Sequence, residues 1–215
     1  MADRLANIEL ILSQCYEGAD IIESTDSFTP ELLGLGERLT LKSGELLDIA
    51  SEEAEHLERE LIEKGTKSVY LPRLRDYIVD LKSAARCLAT HLKVLKDLYE
   101  WIGDEERHDS IDEGLAVFAK ASETMSEIEP PTSMEKLCQI HELALKNFNE
   151  YVAIYTKLKR AKDEGDVEGL REVESDFYRL EAEQHLESIE MFSLKDELEK
   201  AQEMLGDLKQ EIGGL

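Results

Sequence analysis

The stretch PRLRDYIVDLKSAARCLATHLKVLKDLYEWI, residues 72–102, decides the fold. Counted at 3.6 residues per turn, Leu74, Ile78, Leu81, Ala85, Leu88, Leu92, Leu95, Tyr99 and Ile102 form one seam. Tyr77, Ala84, His91 and Leu98 widen one flank, and Cys87, Val94 and Trp101 widen it further. Lys82, Arg86, Lys93, Lys96, Asp97 and Glu100 crowd the side that remains. So broad an apolar face predicts the most buried helix of the molecule, packed on several others.

The same period extends outward in both directions. Upstream, Leu5, Ile8, Leu12, Cys15, Ala19 and Ile22 form the seam of a helix over about 3–23. Thr29-Pro30 is an N-cap followed by a proline at the first helical position, so a second helix starts there and runs to about 64. Gly34, Gly36 and Gly44 each weaken that helix by about 1 kcal/mol, which predicts a bend or break before Glu45. The Gly-x-Gly follows no strand and is no phosphate loop.

Downstream, Gly103-Asp104 ends the central helix. A fourth helix covers about 105–127 with seam Ile111, Leu115, Phe118, Ser122 and Met125, and Pro130-Pro131 makes a stiff turn. A fifth covers about 133–161 with seam Leu137, His141, Ala144, Phe148, Tyr151, Tyr155 and Leu158. A sixth begins near 166 and keeps a strict 3-4 repeat to Leu208. As one straight rod it would reach roughly 65–70 Å, well beyond its hairpin partner. Its end must therefore overhang or fold back, and Ser193 three residues before Asp196 has the form of an N-cap at such a break.

The expected fold is all-α: an elongated bundle of about six helices with a long C-terminal antiparallel hairpin of coiled-coil character. It reads as one domain, 1–215, which can be subdivided into a four-helix part, 1–128, and a hairpin, 132–215.

Charge narrows the function. The net charge of −24 opposes binding to nucleic-acid phosphate and to anionic membrane surfaces. No run of 18 apolar residues is present, and the N-terminus lacks the apolar core of a signal peptide. Cys15, Cys87 and Cys138 are odd in number and far apart, which fits a reducing cytoplasm rather than a disulfide framework.

Two Glu-x-x-His pairs, Glu53/His56 and Glu105/His108, have the spacing used by di-iron helical bundles. With 34 glutamates and five histidines, about one such pair is expected from composition alone. Phase also argues against them. Glu53 lies about 70° and His56 about 130° from the centre of the apolar face formed by Leu46, Ala50, Ala54, Leu57 and Leu61. His108 is in phase with its helix's apolar face, but Glu105 is not. The acidic stretch around His56 instead offers Glu55-Arg59 and Glu60-Lys64 as helical ion pairs. Cys138-x-x-His141 lacks a second Cys/His pair to complete a structural zinc site.

More telling is polar chemistry on an apolar seam. In an antiparallel hairpin turning near residue 164, His141 falls opposite Glu187 and Ala144 opposite Gln184. His141, Gln184 and Glu187 then make a polar layer, read first as a device that fixes register. His91 reads as a satisfied core histidine and Cys87 as packing. No cofactor is called for.

The function expected from these features is a non-enzymatic helical scaffold or protein-interaction module. Its partner, another protein or a second copy, would pair along Leu194, Leu198, Ala201, Leu205 and Leu208. The first alternative is a carboxylate- and histidine-lined bundle that binds a metal ion or small ligand. The second is an acidic mimic of nucleic acid that occupies a basic partner.

Overall fold

The structure is a computed structural model that describes residues 1–24, 28–104, 110–186 and 192–213, with the backbone alone for 181–186. The described residues form seven helices and no strand. These are α1 (Ala2–Glu23), α2 (Pro30–Glu63), α3 (Tyr70–Ile102), α4 (Ile111–Ser126), α5 (Glu135–Glu164), α6 (Val167–Leu186) and α7 (Leu194–Gly213). Among the described residues no helix is long and apolar enough to cross a membrane.

The chain divides into two compact units. The first comprises Met1–Phe28, Leu32–Ala89 and Ser193–Leu215; the second comprises Thr29–Glu31 and Thr90–Phe192. Helix α3 runs through the division. The proline turn at Pro130-Pro131, the expected subdivision point, lies inside the second unit.

In the first unit, α1 buries Leu5, Ile8, Leu12, Cys15 and Ala19. Helix α2 is continuous, without the break expected before Glu45. Gly34, Gly36 and Gly44 are all buried on its packed face, so tertiary burial offsets their weak propensity. The buried hydroxyls of Thr40 and Ser43 donate to the carbonyls of Gly36 and Leu39, at 2.7 and 3.1 Å, and so carry no orphaned polar group into the core. The helix ends at Gly65, whose φ of 70° suits a residue without a side chain; Thr66 N–H then donates to the Leu61 carbonyl at 2.9 Å.

The sixth helix expected from the 3-4 repeat is two helices. Ser193 Oγ accepts the Asp196 N–H at 3.0 Å, which caps the start of α7. Helix α7 packs along α1 and buries Leu194, Leu198, Ala201, Leu205 and Leu208. The seam expected to pair with another chain is thus filled within this one. Polar ties accompany it: Glu23 accepts from Ser193 Oγ at 2.9 Å, and Lys195 reaches Asp20 at 2.6 Å while lying over the Tyr16 ring. Glu211 accepts from Ser68 and from the Val69 N–H.

The second unit contains the end of α3 with α4, α5 and α6. Ser110 caps α4, accepting the Glu113 N–H at 3.3 Å. Gly165, at φ 66°, closes α5, and the Asp166 carboxylate accepts the Glu168 and Gly169 N–H groups to open α6. Helix α4 packs on α5 and α5 on α6.

Here α3 departs from the expected seam. Leu95, Tyr99 and Ile102 are 38%, 41% and 54% exposed, whereas Val94, Leu98 and Trp101 are buried. The flank has become the core stripe because α4 and α5 lie on that side. Trp101 meets Phe118 edge-on at 5.7 Å, and Phe118 stacks on Tyr151 at 4.5 Å. Tyr155 and Phe177 complete the aromatic core.

The α4–α5 contact needs Gly114. A Cβ built there would overlap the Tyr155 ring, which Trp101, Phe118 and Phe177 hem in. Gly114→Ala gains about 1 kcal/mol of helix propensity but costs about 1–3 kcal/mol of overpacking. A net loss of about 1 kcal/mol is expected in urea unfolding, and Gly114→Val should cost more.

Candidate metal site

The switch of stripe on α3 turns His91 towards α5. His91 Nε2 lies 3.2 Å from His141 Nδ1, with ring centroids 5.4 Å apart. One nitrogen donates and the other accepts, so the pair is satisfied while both rings are neutral. His141 is buried and His91 partly so. Among the described residues no buried side-chain nitrogen or oxygen lacks a hydrogen-bond partner.

One turn earlier on α3 sits Cys87, buried and in no disulfide. The i, i+4 spacing puts its thiol on the same helix face as His91, with Sγ within 4.8 Å of a His91 ring nitrogen. Cys87, His91 and His141 are the one group of three possible metal donors among the described residues.

Burial pushes the pKa of both imidazoles down, that of His91 to about 4, where the proximity of His141 adds to the effect. Glu142 works in the opposite direction on His141. Both rings are therefore neutral near pH 7, the state in which imidazole is a metal ligand. A titration consequence follows for the metal-free protein. Above pH 6.5 His91 is neutral folded and unfolded and contributes nothing to pH dependence. As pH falls from 6.5 towards 4, only the unfolded chain takes up the proton, so stability is lost, by roughly 3 kcal/mol in all. Urea unfolding at pH 7 and pH 4.5 with chelator present should show the loss, and His91→Gln should reduce it.

Glu53 and His56 do not belong to this cluster. Glu53 is ion-paired with Arg4 and accepts from Asn7, with Arg4 the main cause of its lowered pKa; His56 is exposed. Glu105, His108 and Glu187, and the side chain of Gln184, lie outside the described residues. Cys138 is directed to the Pro131 carbonyl at 3.4 Å. Cys15 donates to the Ser43 carbonyl, and burial raises its pKa to about 11, as suits a packing thiol.

The second unit also holds an open groove of about 350 Å³ floored by Val94, Leu98, Trp101, Val117 and Ala121. Lys120 and Asp97 pair at its rim at 2.9 Å. Neither histidine lines it.

The seam pattern marks His141 as a polar residue on an apolar face, and the partners it suggests, Glu187 and the Gln184 side chain, lie outside the described residues. From the sequence His91 and Cys87 read as core residues. The available signal was Cys87-x-x-x-His91, two ligand types on one helix face. Comparison with known proteins gives no match: no family model, no curated protein and no solved structure resembles the chain.

Proposed function

We propose that this is a metal-binding helical protein whose ion is held by His91 and His141, with Cys87 as third donor. The observation that supports it is the convergence of three nitrogen and sulfur ligand atoms within 4.8 Å of one another. Two imidazole nitrogens bound to one tetrahedral or trigonal ion stand about 3.3–3.5 Å apart, close to the 3.2 Å separation of His91 and His141. An ion entering there would displace the shared N–H proton to the donor ring's other nitrogen, and both rings would rotate to direct their lone pairs at it.

The donors define the ligand class. Hard cations such as Mg²⁺ and Ca²⁺ take oxygen ligands, while imidazole with thiolate suits zinc and copper. This is the metal-binding alternative with a different ligand set: cysteine and histidine in place of the glutamate–histidine pairs. The scaffold reading has weaker support, because α1 covers the seam on which it relied.

Titration of metal-free protein with Zn²⁺ and with copper, followed calorimetrically, tests the proposal. At least one of the two ions should bind at one equivalent and release protons, since a thiol must ionise to ligate. The double variant His91→Ala/His141→Ala should bind neither at that stoichiometry. If the wild type bound no more metal than this variant, the reading would be overturned.

A further inference from the structure

We infer that the ion selected is Cu(I), held three-coordinate by the Cys87 thiolate and the imidazoles of His91 and His141. The inference rests on the metal-binding reading above.

Charge gives the first reason. One thiolate and two neutral imidazoles around Cu⁺ form a complex of zero net charge, whereas Zn²⁺ in the same ligands keeps one positive charge. His141 and Cys87 are buried. A residual charge is costly in such surroundings unless a second anion joins. Among the described residues the donor cluster contains no carboxylate.

Coordination number gives the second. Zinc in a protein site takes four ligands and would need a water or another donor beside these three, while Cu(I), which thiolate also suits, is satisfied by three. The geometry needs little adjustment. The imidazole nitrogens must open by a few tenths of an ångström and the thiol close by at most about 1 Å, both within reach of side-chain rotation. Binding balances without redox change: Cu⁺ replaces the Cys87 proton, which passes to solvent, and the N–H proton shared by the two imidazoles moves to the donor ring's other nitrogen.

The test is an anaerobic competition between the metal-free full-length protein and a chromophoric Cu(I) chelator, with a parallel Zn²⁺ competition. One equivalent of Cu(I) should bind about a thousandfold more tightly than Zn²⁺, and X-ray absorption should find two nitrogen donors and one sulfur around copper. Cys87→Ser should lower Cu(I) affinity at least about a hundredfold with an unchanged circular dichroism spectrum. Zn²⁺ held as tightly as Cu(I), copper with a fourth donor, or an unaffected Cys87→Ser variant would each overturn the inference while leaving a metal site in place. Binding of neither ion would overturn the metal reading itself.

Discussion

Truncation after Phe192 should unfold the first unit. The deleted helix α7 contributes Leu194, Leu198, Leu205 and Leu208 to a core that it shares with α1. Each buried leucine is worth about 1.5–3 kcal/mol, so removing four withdraws roughly 6–12 kcal/mol. That is comparable with the whole stability of an ordinary domain, about 5–15 kcal/mol. The truncated chain should lose helical circular dichroism well beyond the share of the deleted residues. A milder probe of the same contact is Leu198→Ala, which leaves a cavity at a fully buried position and should cost about 2–5 kcal/mol in urea unfolding. A truncated chain that stayed folded, with only its oligomeric state changed, would restore the idea that this seam pairs with another molecule.

Metal loading should produce the second large effect. An ion that binds the folded chain alone stabilises it by about 4 kcal/mol when its free concentration is a thousand times the dissociation constant. For a chain of this size that corresponds to a rise in melting temperature of about 8–16 °C. His91→Ala and His141→Ala should abolish most of the rise. The variants should also be informative without metal, because each leaves the other imidazole short of its hydrogen-bond partner. A His91→Ala/His141→Ala double variant removes both polar rings together and separates loss of the ion from loss of that bond. If metal raised the melting temperature of wild type and double variant equally, the stabilisation would come from carboxylates elsewhere on this acidic surface.

The helices themselves were legible because their determinants are local. Thr29-Pro30 starts α2, α6 opens at the expected position next to Asp166, and the Ser193–Asp196 spacing marks the start of α7. Pairing between helices was less legible, because a broad apolar face does not say which of its edges will be covered. On α3 the expected seam through Leu95, Tyr99 and Ile102 and the flank through Val94, Leu98 and Trp101 are almost equally apolar. The covering helices α4 and α5 chose the flank.

The same ambiguity hid the site. His141 was recognisable as a polar group on an apolar seam, but its neighbour depended on which helix lay across from it. Assigning the following helix gave Gln184 and Glu187. The fold brings it to His91, on the helix before it, while Glu187 and the Gln184 side chain lie outside the described residues. The continuous α2 makes a related point: three buried glycines read as weakness in an isolated helix, yet their packed face keeps the helix unbroken.

Crystals of protein loaded with one equivalent of copper, with diffraction recorded on both sides of the copper absorption edge, test the central claim most directly. The claim predicts one strong anomalous peak per chain, within about 2.0–2.5 Å of His91 Nε2, His141 Nδ1 and Cys87 Sγ. A peak at His56 or among surface carboxylates, with His91 and His141 still hydrogen-bonded to each other, would contradict it.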